Sequence, residues 1–142
     1  MRPPRKNSPP RTVGRYFEQI AARRLKQQGY RICGRNLQYG RWEIDLLALD
    51  GNMLVFVEVK SRKDISIFLP EQALTGEKRS SLTRAALACL RDMEHRGVET
   101  AQFGLRFDTI SITFDDSYAV TEFVQQKEFL EPNDESLFRS AL

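Results

Sequence analysis

Residues 42–50 read WEIDLLALD and residues 53–61 read MLVFVEVKS, and the only break between these two apolar runs is Gly51-Asn52, preceded by Asp50. Apolar runs of this length joined through Asp-Gly fold as a β-hairpin. A two-residue loop sets the register. Asp45 then lies opposite Glu58, and Glu43 lies opposite Lys60. Opposed residues share a face with Cβ atoms ~4.5–5.5 Å apart, and period-2 alternation puts Glu43 with Asp45 and Glu58 with Lys60. The pattern therefore predicts four polar groups emerging as one cluster from otherwise apolar strands. Two carboxylates so placed repel each other, and one of them is expected to take up a proton. A divalent cation removes the conflict, and magnesium accepts one or two carboxylates with water in its remaining positions. A lysine two residues beyond the second acid is placed to orient or activate the water, a set suited to phosphodiester hydrolysis. The competing assignment is a salt-bridged sheet edge, with Glu43 paired to Lys60 and Asp45 solvated. A slip of one residue would break the direct pairing yet leave Asp45 and Glu58 near each other.

The rest of the 142-residue chain builds around this hairpin. Val13, Phe17, Ile20, Ala21 and Leu25 recur at helical spacing over 13–28, and Gly29 suits the C-terminal cap. A short strand is expected near Tyr30 and Ile32, then a turn at Gly40. A mixed loop over 62–70 ends at Pro70. The helix expected from Thr75 to Arg96 has Thr75 as its N-cap, an apolar stripe of Leu82, Ala85, Ala86, Leu90 and Met93, and Gly97 as its stop. A strand from Phe103 to Phe114 turns at Asp115-Asp116 into a last strand, Tyr118 to Val124. The order is α-β-β-β-α-β-β, an α/β or α+β sheet with helices packed on it. The expected divisions are a disordered basic arm over 1–12, a domain over 13–124 and an acidic tail over 125–142.

No apolar run is long enough to cross a membrane as a helix, and the proline-rich start has no signal-type apolar core. Cys33, Cys89 and the single His95 make neither a disulfide framework nor a zinc set. They read as two reduced apolar fillers and a helix-end imidazole, in a cytoplasmic protein with no organic cofactor and no membrane partner. Residues 1–41 carry eleven Lys/Arg and a single acid, Glu18, while the remainder carries eleven Lys/Arg and eighteen acids. Such polarity suggests a polyanionic partner. Arginine outnumbers lysine sixteen to six, and its planar fork suits phosphate. A solvated tail and an ordinary charged helix face would account for the same charges.

The blocks EIDLLA and LVFVEVKSR, with twelve residues between Asp45 and Glu58, together with Gly14 to Ala21 around Glu18, Leu25 to Ile32, Arg35-Asn36, Asp50-Gly51, Lys78 and Arg106 to Asp108, resemble the YraN-like family of uncharacterised bacterial proteins. That family is similar to archaeal Holliday-junction resolvases within the PD-(D/E)XK superfamily. The resemblance spans about residues 13–112 and implies a restriction-endonuclease-like mixed β-sheet flanked by helices. It implies Asp45 and Glu58 as metal ligands, with the backbone carbonyl of Val59 as a third, for Mg2+ or Mn2+. Lys60 would position water, and Glu18 would complete the site from the first helix. The family mostly has glycine at the positions of Phe17 and Trp42. Trp42 is therefore either core or a surface on which a base stacks.

The expectation is a metal-dependent nuclease acting on DNA, branched or containing single strands, and working as a homodimer if two strands are cut. The rival readings are a nucleic-acid-binding module without turnover and a protein-interaction domain on the same fold. Arg62, Lys63, Lys78 and Arg79, with Arg84, are the candidates for flanking phosphates. Asp108 is expected to pair with an arginine rather than to bind metal.

Overall fold

The computed structural model describes residues 1–64 and 76–129. Helix α1 (Pro10–Gln27) opens the domain, followed by β1 (Arg31–Tyr39), β2 (Trp42–Asp50), β3 (Met53–Lys63), α2 (Gly76–His95), β4 (Gly104–Phe114) and β5 (Val120–Phe129). Among the described residues, five strands form one sheet in chain order. All neighbours are antiparallel except β3 and β4, which run parallel. A parallel pair needs a long crossover, and α2 lies within it. The mixed sheet with two helices and the α-β-β-β-α-β-β order are as expected.

Several boundaries move. Helix α1 starts at Pro10 rather than Val13, because proline suits a first helical turn, where its missing N–H is no loss. It ends as expected: Gly29 takes φ +94°, and the Tyr30 N–H reaches the Leu25 carbonyl at 3.0 Å. The arm before α1 is placed against the domain, and the Tyr118 hydroxyl donates to the Arg5 carbonyl at 3.3 Å. Strand β1 is longer than the short strand expected near Ile32. Strand β5 starts and ends later than Tyr118 to Val124. Gln125, Lys127 and Phe129 stay in the ladder opposite Ile110, Asp108 and Arg106, so the first residues of the expected tail are sheet. Thr75, Pro70 and the tail beyond 129 lie outside the described residues.

The two helices cover opposite faces. Phe17, Ala21, Ala22 and Leu25 of α1 pack on Leu46, Ala48, Val55, Val57, Ile110 and Ile112. The Phe17 ring stacks on Phe114 at 4.4 Å between centroids, which makes Phe17 core rather than a rim residue. On the other face, Leu82, Ala85, Ala86 and Cys89 of α2 pack on Ile44, Leu47, Leu54, Phe56 and Phe107. Cys89 is thus a buried filler, whereas Cys33 is exposed on the edge strand, which corrects the expectation for that residue.

One polar group runs through the interior. Arg106 and Asp108 are both buried. The Arg106 guanidinium donates to both Asp108 oxygens at 2.7 and 3.0 Å, to Asp50 at 2.9 Å and to the Tyr30 hydroxyl at 2.6 Å. Gln125 donates to Asp108 at 2.8 Å. Asp108 is therefore the arginine partner that the sequence pattern predicts.

Candidate functional site

The hairpin has the expected register, from Asp50 opposite Met53 through Leu46 opposite Val57. Gly51 turns it with φ +61°, a value suited to the first central position of a II′ turn. The ladder between β2 and β3 ends at Leu46 and Val57, one step before Asp45 and Glu58. Beyond that point β2 stays paired with β1, at Glu43 and Gln38, and β3 stays paired with β4, at Glu58 and Thr109. The two strands of the hairpin therefore part at the two acids. In place of a backbone carbonyl, the Asp45 carboxylate accepts the Val59 N–H at 2.8 Å.

The pleat also slips here. Ile44 packs on the α2 side and Leu46 on the α1 side, although residues two apart in a regular strand share a face. Across from Asp45, Asn36 of β1 has φ +50°, a left-handed conformation that asparagine tolerates better than most residues. Asp45 thus points into the gap between strands. The four-residue cluster on one face is corrected accordingly. Val57 and Val59 both pack with the α1-side cluster, so alternation sends Glu58 and Lys60 toward the opposite side.

Glu18 reaches Asp45 from α1. Burial, then the charge of Asp45, raises the Glu18 carboxyl to about 7; Arg15 opposes the shift and Glu43 adds to it. Burial likewise raises Asp45 to about 6; the Val59 N–H and Arg15 oppose this, while Glu43 and Glu58 add to it. Arg15 stands 3.7 Å from Glu18 Oε2, too far for a hydrogen bond, and that oxygen is buried with no hydrogen-bond donor. Neutral carboxyls are thus favoured in the folded chain. Because the folded values lie above the ordinary ones, the folded state holds protons that the unfolded chain releases between about pH 4 and 7. Stability contributed by these groups is full below that window and is lost as pH rises through it. Thermal unfolding without divalent ions is expected to show a higher midpoint at pH 5 than at pH 8, and Glu18→Gln should shrink the difference. An unchanged difference in that variant would assign the effect elsewhere.

Every donor here is oxygen, the kind that suits Mg2+ or Mn2+ rather than a thiolate-seeking ion. Among the described residues, no three Asp, Glu, His or Cys side chains group closely enough to cage an ion by themselves. Magnesium does not need such a cage, since it keeps several waters. The orphaned Glu18 oxygen and the raised Asp45 carboxyl both fit a cation as the compensating charge.

The expected phosphate contacts are scattered. Arg62 is exposed beyond Lys60 on β3. Lys63 is paired with Asp116. The side chains of Lys78 and Arg79 lie outside the described residues. Arg84 lies over the Trp42 ring at 5.7 Å, with Arg41 at 5.4 Å, and Trp42 packs against the α2-side core. His95 ends α2. The sequence pattern misses Arg15, Arg35 and Asn36, which line a cavity of about 70 Å³ beside Glu18 and Leu46. All three lie in stretches that carry the family resemblance, and the asparagine hints at itself further through its tolerance of positive φ.

The model of the uncharacterised protein family UPF0102 matches residues 17–112. The chain belongs to that family. A UPF0102 protein of Chlorobaculum parvum is 40% identical over 103 residues, covering 72% of this chain and 76% of that protein. One from Symbiobacterium thermophilum is 47% identical over 76 residues, covering 54% and 64%. The UPF0102 match runs from Phe17 in α1 to Ile112 in β4 and so contains Glu18, Asp45, Glu58 and Lys60. Among solved structures, SfsA of Pyrococcus furiosus in complex with Ca2+ is similar with a TM-score of 0.35 and 18% identity, over 84% of this chain and 63% of that one. No helix among the described residues is long and apolar enough to cross a membrane.

Proposed function

We propose that this UPF0102 protein is a metal-dependent nuclease that hydrolyses phosphodiester bonds in DNA at the gap between β2 and β3. The observation that supports this most is the parting of the hairpin at Asp45, whose carboxylate is turned into the gap and bonded to Val59 N–H. Two facing acids repel each other, and a hairpin kept for structure alone would be better served by an apolar residue at either position. Asp45, Glu58 and the Val59 carbonyl are the groups that would hold Mg2+ or Mn2+. In an extended strand a residue's N–H and C=O leave by the same edge, so that carbonyl faces the same gap as the bonded N–H. When bound, the ion would supply Lewis-acid polarisation of the phosphoryl oxygen and ease deprotonation of water.

The chain's own groups do the rest. Asp45 is oriented by Val59. Glu18, raised to about 7, can hold or release a proton near neutral pH beside Asp45, the range in which a general acid or base works best. Lys60, two residues after Glu58 on β3, carries the positive charge that positions the nucleophile and offsets charge building on the phosphate. A non-catalytic nucleic-acid binder would have no need of this set, and a protein-interaction domain would have no need of the basic N-terminal third. The test is cleavage of branched, flapped and single-stranded DNA with Mg2+ or Mn2+. Wild type is expected to cut at least one of them, and Lys60→Ala to lower the rate by about 10²–10⁴-fold. Equal rates in wild type and variant would overturn the assignment.

A further inference from the structure

We infer that the N-terminal arm, the outer side of α1 and the edge strand β1 form a track for the sugar–phosphate backbone of a single polynucleotide strand. This deepens the nuclease reading and rests on it for where the track leads. Three adjoining cavities define it. One of about 420 Å³ lies between the arm at Arg2 to Arg5 and the side of α1 that carries Arg15. A second, of about 250 Å³, is lined by Arg23, Lys26 and Arg35. The third is the 70 Å³ cavity beside Glu18. Gln19 lines all three, so the three recesses adjoin at one side chain and together make up the proposed furrow.

Its charge is lopsided. Six cations line it, namely Arg2, Arg5, Arg15, Arg23, Lys26 and Arg35, and the one acid among the described lining residues is Glu18. Among the described residues, only Arg15 of the six has an acidic partner. Arg15, Gln19 and Arg23 follow at four-residue intervals and so stand one above another on α1, about one helical turn apart. A row of donors at that pitch can follow successive phosphates, and five of the six cations are arginines able to fork onto two oxygens. The acid stands where the furrow meets Leu46, the neighbour of Asp45, so a strand in the track would arrive at the gap.

The occupant follows from shape. A recess of about 420 Å³ between the arm and α1 has room for one sugar–phosphate backbone, whereas seating a whole duplex there would require the arm to move aside. A lipid surface fits poorly. Membrane-binding helices insert an apolar face beside their cations, and the apolar face of α1 is buried against the sheet.

Binding of a labelled oligothymidylate, followed by anisotropy in EDTA, tests the track without any cleavage. The Arg23→Ala/Lys26→Ala/Arg35→Ala triple variant should bind at least about tenfold more weakly at low salt. Its log–log salt slope should fall by about 2, at ~0.7 for each phosphate no longer neutralised. Arg2→Ala/Arg5→Ala should lower the slope by about 1.4 on the same scale. These are exposed positions, and circular dichroism should match wild type. Wild-type slopes in both variants would overturn the track. So would tighter binding of a duplex, or capture by phosphatidylserine vesicles without oligonucleotide binding. The two proposals fail separately. A wild type that binds through these residues but cuts nothing with Mg2+ or Mn2+ loses the nuclease reading alone. Triple and double variants that bind and cut like wild type lose the track alone.

Discussion

Asp45→Asn is expected to make the protein more stable and, on the proposed nuclease reading, to lower DNA cleavage sharply. Asparagine keeps an oxygen that can accept the Val59 N–H, so the 2.8 Å bond that bridges the parted strands survives. What goes is the charge. In the folded chain the Asp45 carboxyl sits at about 6, raised first by burial and further by Glu43 and Glu58, so its ionised form at pH 8 works against the fold. Removing it should raise stability without added metal by up to ~3 kcal/mol, since one pKa unit corresponds to ~1.4 kcal/mol. Cleavage with Mg2+ or Mn2+ should fall on the order of 10³-fold, the equivalent of ~4 kcal/mol of lost transition-state stabilisation. Calorimetric titration of Mn2+ should show weaker binding than wild type. The pairing of effects is the point of the experiment. A site kept for chemistry is strained in its absence, whereas a residue kept for the fold would lose stability on the same change. A less stable variant with intact cleavage would sink the assignment of Asp45.

Asp108→Ala is expected to be the most damaging single change away from the gap. It leaves Arg106 buried with two of its hydrogen bonds gone, and breaking one side of a buried pair costs about 3–5 kcal/mol. Asp50 and the Tyr30 hydroxyl remain as partners, which sets the cost within that range rather than above it. Arg106→Met/Asp108→Leu should recover most of the loss, because an apolar pair of similar volume needs no compensation. Denaturant unfolding of the two variants decides it. If the single variant loses under ~1 kcal/mol, the group is solvated in a way its burial denies.

The group also shows why part of the fold could be read in advance. Local pattern is enough where the information is local. The Gly51-Asn52 loop follows from turn chemistry, the strands on either side from apolar runs, and α1 from Phe17, Ala21 and Leu25 recurring on one stripe. The pairing of Asp108 with an arginine was legible as well, since an acid two residues from Arg106 in an apolar strand needs a cation. The end of β5 was not. Gln125, Lys127 and Glu128 look like tail by composition, and only their pairing with β4 makes them sheet.

The same division runs through the candidate site. Spacing along the chain was sufficient to set the hairpin register, and hence to bring Asp45 and Glu58 to the same level of the sheet, because a two-residue turn leaves no freedom in which residues oppose. Whether those residues stay paired is not a local property. The ladder ends, the pleat slips at Asp45 and the carboxylate turns into the gap because β2 is held by β1 on one side and β3 by β4 on the other, with Asn36 in a left-handed conformation across from the acid. Likewise the chain shows that its first third is basic, but the gathering of Arg15, Arg23 and Arg35 along one furrow depends on α1 lying across the sheet beside the edge strand. Turn geometry and periodicity act between residues a few places apart; competition among neighbouring strands and the docking of a helix act between segments that meet only once the chain has folded.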